Sequence, residues 1–473
     1  IAEGDGDAAR IHRAAGQAGR KHPVFPECAG DGLLRQLVVE QLRDLLRRKV
    51  VHALLADDRE ADGLDELDEA LSTVVLTGNA VQEAGSQSPY VGYADMGGTL
   101  RETTEPGTRV TGNFDAELGS WMVLKIGGTL TGQVKAGGGG GMYESFDDGS
   151  QVDLELSGIW NGDLLADPGR SGGWPNVDEI PQPGTGTVRV LSGGVWNGNS
   201  TAVGPYRDGS TKTSEDFGRE LYDKEPDDGP GGIVKIAVDA GGVWTGNSEA
   251  QGTARPDSTD KGSSVTIEVA GNWTGSAVSG AATAAPSDKS GGYTDVTVTA
   301  GGTWTGDITS QESTLEGQTA SSGSADVKIA GAWTGASTAS TDTTLTDPAI
   351  VNVTLTESTG LWNVTKDSSV TALDIGSGKV SFTRDEGTFA GKTLTVAGNY
   401  TGNGGTIAMN TVLESDDAAT DRLVVKGNTS GTTNLTFTNV GGAGAQTVDG
   451  IRVVEVGGTS DGVFTKPADN ILK

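Results

Sequence analysis

Seven tryptophans recur along this chain inside one short phrase, and their spacing limits the fold more than any other feature. Trp160, Trp196, Trp244, Trp273, Trp304, Trp333 and Trp362 each follow a Gly-containing stretch, and the first six precede Asn-Gly or Thr-Gly. From Trp244 onward the spacings are 29, 31, 29 and 29 residues. A period of this length means stacked units, each touching only its neighbours.

One unit shows how the stack is built. In SVTIEVAGNWTGSA, Val265, Ile267 and Val269 alternate and so share one face of a strand. Gly271 and Asn272 permit the positive φ of a tight corner; Trp273 opens a second short strand and Thr274-Gly275 turns again. The alternation recurs at Val296/Val298, Val327/Ile329 and Val351/Val353. KIGGTLTGQV at 125–134 is a Trp-less version, with Leu130 in the aromatic slot. A single unit cannot bury its apolar face, whereas stacking coil on coil does. The expected fold is all-β, a right-handed parallel β-helix with Val, Ile and Trp ladders inside. A residue repeated once per coil after a turn is read as packing rather than as a carbohydrate platform. Polar inserts at 201–231 and 249–263 read as loops, where length is tolerated.

Composition removes several kinds of chemistry. Net charge is −30, which repels phosphate backbones and excludes nucleic acid as a partner. Cys28 is the sole cysteine, and His12, His22 and His52 are the only histidines. A Cys/His zinc site or a Ser-His or Cys-His nucleophile therefore cannot sit wholly in the repeats. GGGGGMYESFDDGS at 137–150 lacks the regular spacing of calcium-binding β-rolls. No catalytic residue, metal site or cofactor is expected. Asp147-Asp148 and Asp227-Asp228 lie in Gly-flanked polar inserts and read as solvated loop acids.

Residues 1–71 are compositionally foreign to the rest, with every Cys and His of the chain. LLRQLVVEQLRDLLRRKVVHALLADD at 33–58 places Leu34, Val38, Leu42, Leu45 and Leu46 on one stripe and predicts a short amphipathic helix. Glu40, Asp44 and Asp57 interleave with Arg43, Arg47, Arg48 and Lys49, giving a solvated face rather than a membrane surface. A misread start is the alternative, since translated GC-rich DNA has this Ala/Arg/Leu/Asp-rich character.

After Phe389 the period stops. Gly-Asn-Tyr-Thr-Gly at 398–402, Asn410-Thr-Val-Leu, Thr420-Asp-Arg-Leu-Val-Val and Gly427-Asn-Thr-Ser-Gly-Thr-Thr follow in turn, then Asp449-Gly-Ile-Arg-Val-Val-Glu-Val and Ser460-Asp-Gly-Val-Phe. This text closely resembles the pertactin-like autochaperone region of bacterial autotransporter passengers (type V secretion). Three segments result: the foreign N-terminal 1–71, β-helix repeats over 72–384 and the autochaperone-like region 385–473.

The resemblance implies a passenger displayed outside the outer membrane, with C-terminal coils that fold first and template the others. It implies an outer-membrane β-barrel translocator as partner, which is absent from these 473 residues, and a receptor or glycan on a host or neighbouring cell. The expected function is that of a non-catalytic, adhesin-like or structural surface passenger. A β-helical polysaccharide lyase or hydrolase and a phage tail-fibre-like protein are the alternatives. The reading frame is expected to continue past Lys473 into that barrel, with an export signal upstream. Sequencing the flanking DNA checks this; a stop codon directly after Lys473 with no barrel gene nearby would contradict it.

Overall fold

Alternation in the sequence becomes alternation across a sheet. In the strand Ser264–Val269, Val265, Ile267 and Val269 are buried, while Thr266 and Glu268 are exposed. The computed structural model describes residues 10–13, 73–77, 80–81, 90–94, 98–117, 119–139, 149–169, 182–204, 231–255, 262–282, 288–313 and 322–466. Among the described residues every regular element is a strand. The helix expected at 33–58 lies outside them. The described part of the first 71 residues, Arg10–Arg13, is a strand antiparallel to Thr73–Thr77.

Each coil of the right-handed parallel β-helix supplies a six-residue strand, a short strand bearing the tryptophan and a further short strand. Three parallel ladders result. The first stacks Trp121–Ile126, Gln151–Leu156, Thr185–Val190, Ile233–Val238 and Ser264–Val269, then continues to Ile350–Leu355. Its central inward column runs Leu124, Leu154, Val188, Ile236, Ile267, Val296, Val327, Val353 and Leu373. The third ladder offers small inward residues such as Ser200, Ala202, Ser248, Ala250 and Ala277, which leaves the cross-section for an indole.

The second ladder puts Leu130, the seven tryptophans and Val380 in one column. The indoles are at most 1% exposed, so they pack and present no platform. Successive rings lie 4.5–4.8 Å apart and within 9° of parallel, at the spacing of the strands that carry them. Stacked pairs add about 0.5–1.5 kcal/mol beyond the area they bury.

Each indole also satisfies a polar group of the preceding coil. Trp273 Nε1 donates to the Gly246 carbonyl at 3.0 Å, and Gly246 N–H donates to Thr274 O of that same next coil at 2.9 Å. The bond recurs from Trp160 to Gly132, Trp196 to Gly162, Trp244 to Gly198, Trp304 to Gly275, Trp333 to Gly306 and Trp362 to Gly335. A corner carbonyl buried without a donor would be costly. The acceptor is glycine because a Cβ on Gly246 would fall 1.8 Å from Gly198 O. Trp362, the last of the series, has Val364 at the position where the other six have glycine, and the next coil has Val380 where another indole would stand.

The corner differs in one detail from the expectation. Gly271 serves close approach, since a Cβ there would meet Asp239 O at 2.4 Å, and the positive φ falls on Gly275 (157°). The residue after each such glycine makes another ladder. Asp163 Oδ1 accepts from Asn199 N, Asn199 Oδ1 from Asn247 N, Asn247 Oδ1 from Ser276 N and Asp307 Oδ1 from Ala336 N. Asn, Asp and Ser therefore recur at this position because a short acceptor reaches one coil up.

Two substitutions at one site separate packing from hydrogen bonding. Trp273→Ala is expected to destabilise the coils around it by about 3–5 kcal/mol through the cavity. Trp273→Phe is expected to cost about 1–3 kcal/mol, chiefly by orphaning the Gly246 carbonyl. Coils can open locally, so amide hydrogen exchange across residues 244–304 is the measurement that resolves both.

Candidate binding surface

With the tryptophan column sealed inside, any interaction falls to the outward residues. Asp147-Asp148 and Asp227-Asp228 lie outside the described residues. Among the described residues no cluster of three His, Cys, Asp or Glu side chains is placed to hold a metal ion. The outer faces are laced with cross-coil ion pairs: Lys125–Glu155 at 3.1 Å, Lys328–Asp295 at 3.4 Å and Lys366–Asp307 at 2.9 Å. These exposed pairs contribute little stability each, but they interrupt the flat sheet with charge. Lys135 sits among Asp115, Glu117 and Asp167. Burial alone would lower its pKa, and the attraction of Asp167, Asp115 and Glu117 together raises it.

The outward residue at the start of each six-residue strand forms a column that includes Trp121, Gln151, Thr185 and Ile233. A groove of about 380 Å³ follows it, lined also by Gly119, Ser120, Gly149, Gln182 and Pro183. Trp121 is 38% exposed, the one tryptophan among the described residues that faces out. Its Nε1 donates to Asp153 Oδ2 at 2.8 Å, Gln151 Nε2 donates to the same oxygen at 2.9 Å, and the Arg101 guanidinium lies 5.1 Å from its ring centre. The alternation of Trp121–Ile126 carries the signal for this placement, because Met122, Leu124 and Ile126 take the inward slots. The repeat phrase draws attention away from it.

One inward slot holds a carboxyl group. Glu102 aligns with Leu124 in the central column, is buried, and its Oε2 makes no hydrogen bond among the described residues. Burial pushes its pKa up to about 8.

At the other end the coils continue with a different set of clamps. Asp421, fully buried, accepts from Lys392 N at 2.8 Å, Asn410 N at 2.7 Å and Asn410 Nδ2 at 2.9 Å. Burial raises its pKa against the lowering pull of these donors. The exposed Asp416 carboxylate collects the N–H groups of Val448, Asp449 and Gly450, which hold its pKa below the usual range, Val448 foremost. Tyr400, in the column below Thr429, bonds Thr433 Oγ1 at 2.6 Å and stacks on Phe464. Lys426 reaches back to the Thr341 carbonyl, 85 residues earlier, so a loop of the repeats touches these coils directly.

Residues 368–470 match the family model "Autochaperone Domain Type 1". The same end of the chain is 53% identical over 77 residues to "Autotransporter adhesin AIDA-I" of Escherichia coli, covering 16% of this chain and 6% of that protein. It is 51% identical over 76 residues to "Adhesin BmaC autotransporter" of Brucella suis biovar 1, covering 16% and 2%. It is 52% identical over 79 residues to "Uncharacterized protein YdeU" of Escherichia coli K12, covering 17% of each. The C-terminal region of this chain is that of an autotransporter passenger. Its place is the bacterial cell surface, outside the outer membrane. The passenger spans less than a fifth of the length of the curated relatives it matches.

The buried acid gives the passenger's N-terminal coils a pH dependence. Glu102 binds its proton more tightly folded than unfolded, so its contribution is full below the ordinary 4.5 and is lost as pH rises towards about 8. Amide exchange in Thr99–Thr104 is expected to be less protected at pH 9 than at pH 6 once corrected for intrinsic rate. Glu102→Gln is expected to flatten that difference; an equal difference in the variant would show that another group is responsible.

Proposed function

We propose that this passenger is a non-catalytic adhesin, built as a stalk of stacked coils and carried outward by its own outer-membrane β-barrel. The observation that carries this reading is the autochaperone match at the C-terminal end of a continuous β-helix. Two of the relatives that share this region are named adhesins. The lack of His and Cys beyond residue 60 supports a role without nucleophilic or Cys/His-metal chemistry.

The division of labour follows from the same reading. Parallel pairing is non-local and slow, and an unpaired edge invites wrong partners. Residues 385–473 act as the first folded coils and offer a finished edge to the repeats of 72–384. Asp421 ties these coils together from within by accepting from Lys392 N, Asn410 N and Asn410 Nδ2, while Lys392 Nζ and Asn410 Nδ2 also reach Thr383 O and Phe382 O of the coil before them. The contact of Lys426 with Thr341 couples the template to coils that fold after it.

The experiment displays the passenger on a bacterium through a β-barrel translocator and scores adherence to epithelial and bacterial cells. Adherence above that of the empty translocator is expected, together with no turnover of pectin, alginate or glycosaminoglycan. Lyase activity lost on mutating one Asp or Glu would overturn the non-catalytic reading. Deleting 385–473 is expected to cut the refolding yield of the remainder by tenfold or more, the effect of losing about 1.4 kcal/mol or more of nucleus stability. Deleting 1–71 is expected to leave it unchanged. Equal refolding yields for the full chain and the C-terminal deletion would remove the templating role.

A further inference from the structure

We infer that the groove beside Trp121 is a binding site for a short neutral oligosaccharide. This rests on the adhesin reading above and names both its contact point and the chemistry of its ligand. Four aligned positions carry it. The column Trp121, Gln151, Thr185 and Ile233 spans four successive coils, about 14 Å at the strand spacing. That is an elongated cleft along the axis rather than a compact pocket, which fits a short linear chain of sugar rings.

The lining has the chemistry a pyranose needs. Trp121 supplies an apolar, flat surface, and large aromatics with a polar handle are favoured anchors at binding surfaces. Gln151 presents its amide oxygen and the N–H that Asp153 does not take, and Thr185 presents a hydroxyl. Gly119 and Gly149 leave the floor without side chains. Among the described residues that line the groove none is Lys or Arg, the nearby Arg101 is turned onto the Trp121 ring, and the chain's net charge of −30 repels uronates and other acidic glycans. A neutral sugar meets no such penalty.

The platform is also fixed before any ligand arrives. Asp153 holds the indole N–H at 2.8 Å and the Gln151 amide at 2.9 Å, while Arg101 packs 5.1 Å from the ring centre. Binding therefore spends little on ordering the anchor. The seven column tryptophans, in contrast, are sealed and can contribute nothing to a ligand.

The test titrates the full chain with cellotetraose, mannotetraose and chitotetraose, with tetragalacturonate as the acidic counterpart, by calorimetry and by the Trp121 indole N–H resonance. At least one neutral tetrasaccharide is expected to bind and shift that resonance, and tetragalacturonate is not. Trp121→Ala is expected to weaken binding tenfold or more with the far-ultraviolet circular dichroism unchanged, and Gln151→Ala several-fold. Should Trp121→Ala disturb the fold, the resonance shift in the unmodified chain decides. Silence of that resonance with all three neutral sugars, or unchanged affinity in a folded Trp121→Ala, overturns the site. Adherence that survives Trp121→Ala removes the glycan site alone; absence of adherence in the unmodified passenger removes the adhesin reading.

Discussion

Everything in this molecule depends on one bond made over and over: an indole N–H to the glycine carbonyl of the coil before it. A solenoid has no single core, so each coil must be tied to its neighbour by whatever recurs at the same angular position. The column from Trp160 to Trp362 ties it three ways. The rings stack at the strand spacing, the indole N–H closes a corner carbonyl, and the glycine N–H bonds upward in return. Where the series stops, at Val364 and Val380, aliphatic packing takes over and then Tyr400 and Phe464 bring aromatics back on a different ladder position.

The same constraint divides the chain's surface from its interior. With one large aromatic per coil inside, the first ladder is aliphatic and the third is mostly Ala and Ser, with Leu164 and Ile308 the larger exceptions in the tryptophan-bearing coils. Specificity is then carried by outward positions and loops, where length and charge vary without touching the stack. Ion pairs between coils recur on this surface, and at the Trp121 groove the charges of Asp153 and Arg101 are turned onto the indole instead.

Much of this was legible in the text of the chain. The Trp phrase predicts the column, and Leu130 takes the aromatic slot as its phrase implies, with Gly132 below Trp160. What the phrase hides is the partner of each glycine: Gly246 reads as a turn residue, yet its carbonyl belongs to Trp273 of the next coil. Contacts between coils are written one period apart, so a single repeat shows only half of each. Glu102 was equally hidden, because a charged residue in an alternating strand reads as outward until its neighbours fix the phase. Trp121 sits outside the phrase, and only the inward Met122, Leu124 and Ile126 reveal which way it points.

Hydrogen exchange of the tryptophan indole N–H groups, read one by one by nuclear magnetic resonance, tests the central bond most directly. The account predicts strong protection for Trp160, Trp196, Trp244, Trp273, Trp304, Trp333 and Trp362, and fast exchange for Trp121, whose acceptor is the exposed Asp153 pair. Column indoles exchanging as quickly as Trp121 would show that the stack is held by something other than the bond from ring to glycine.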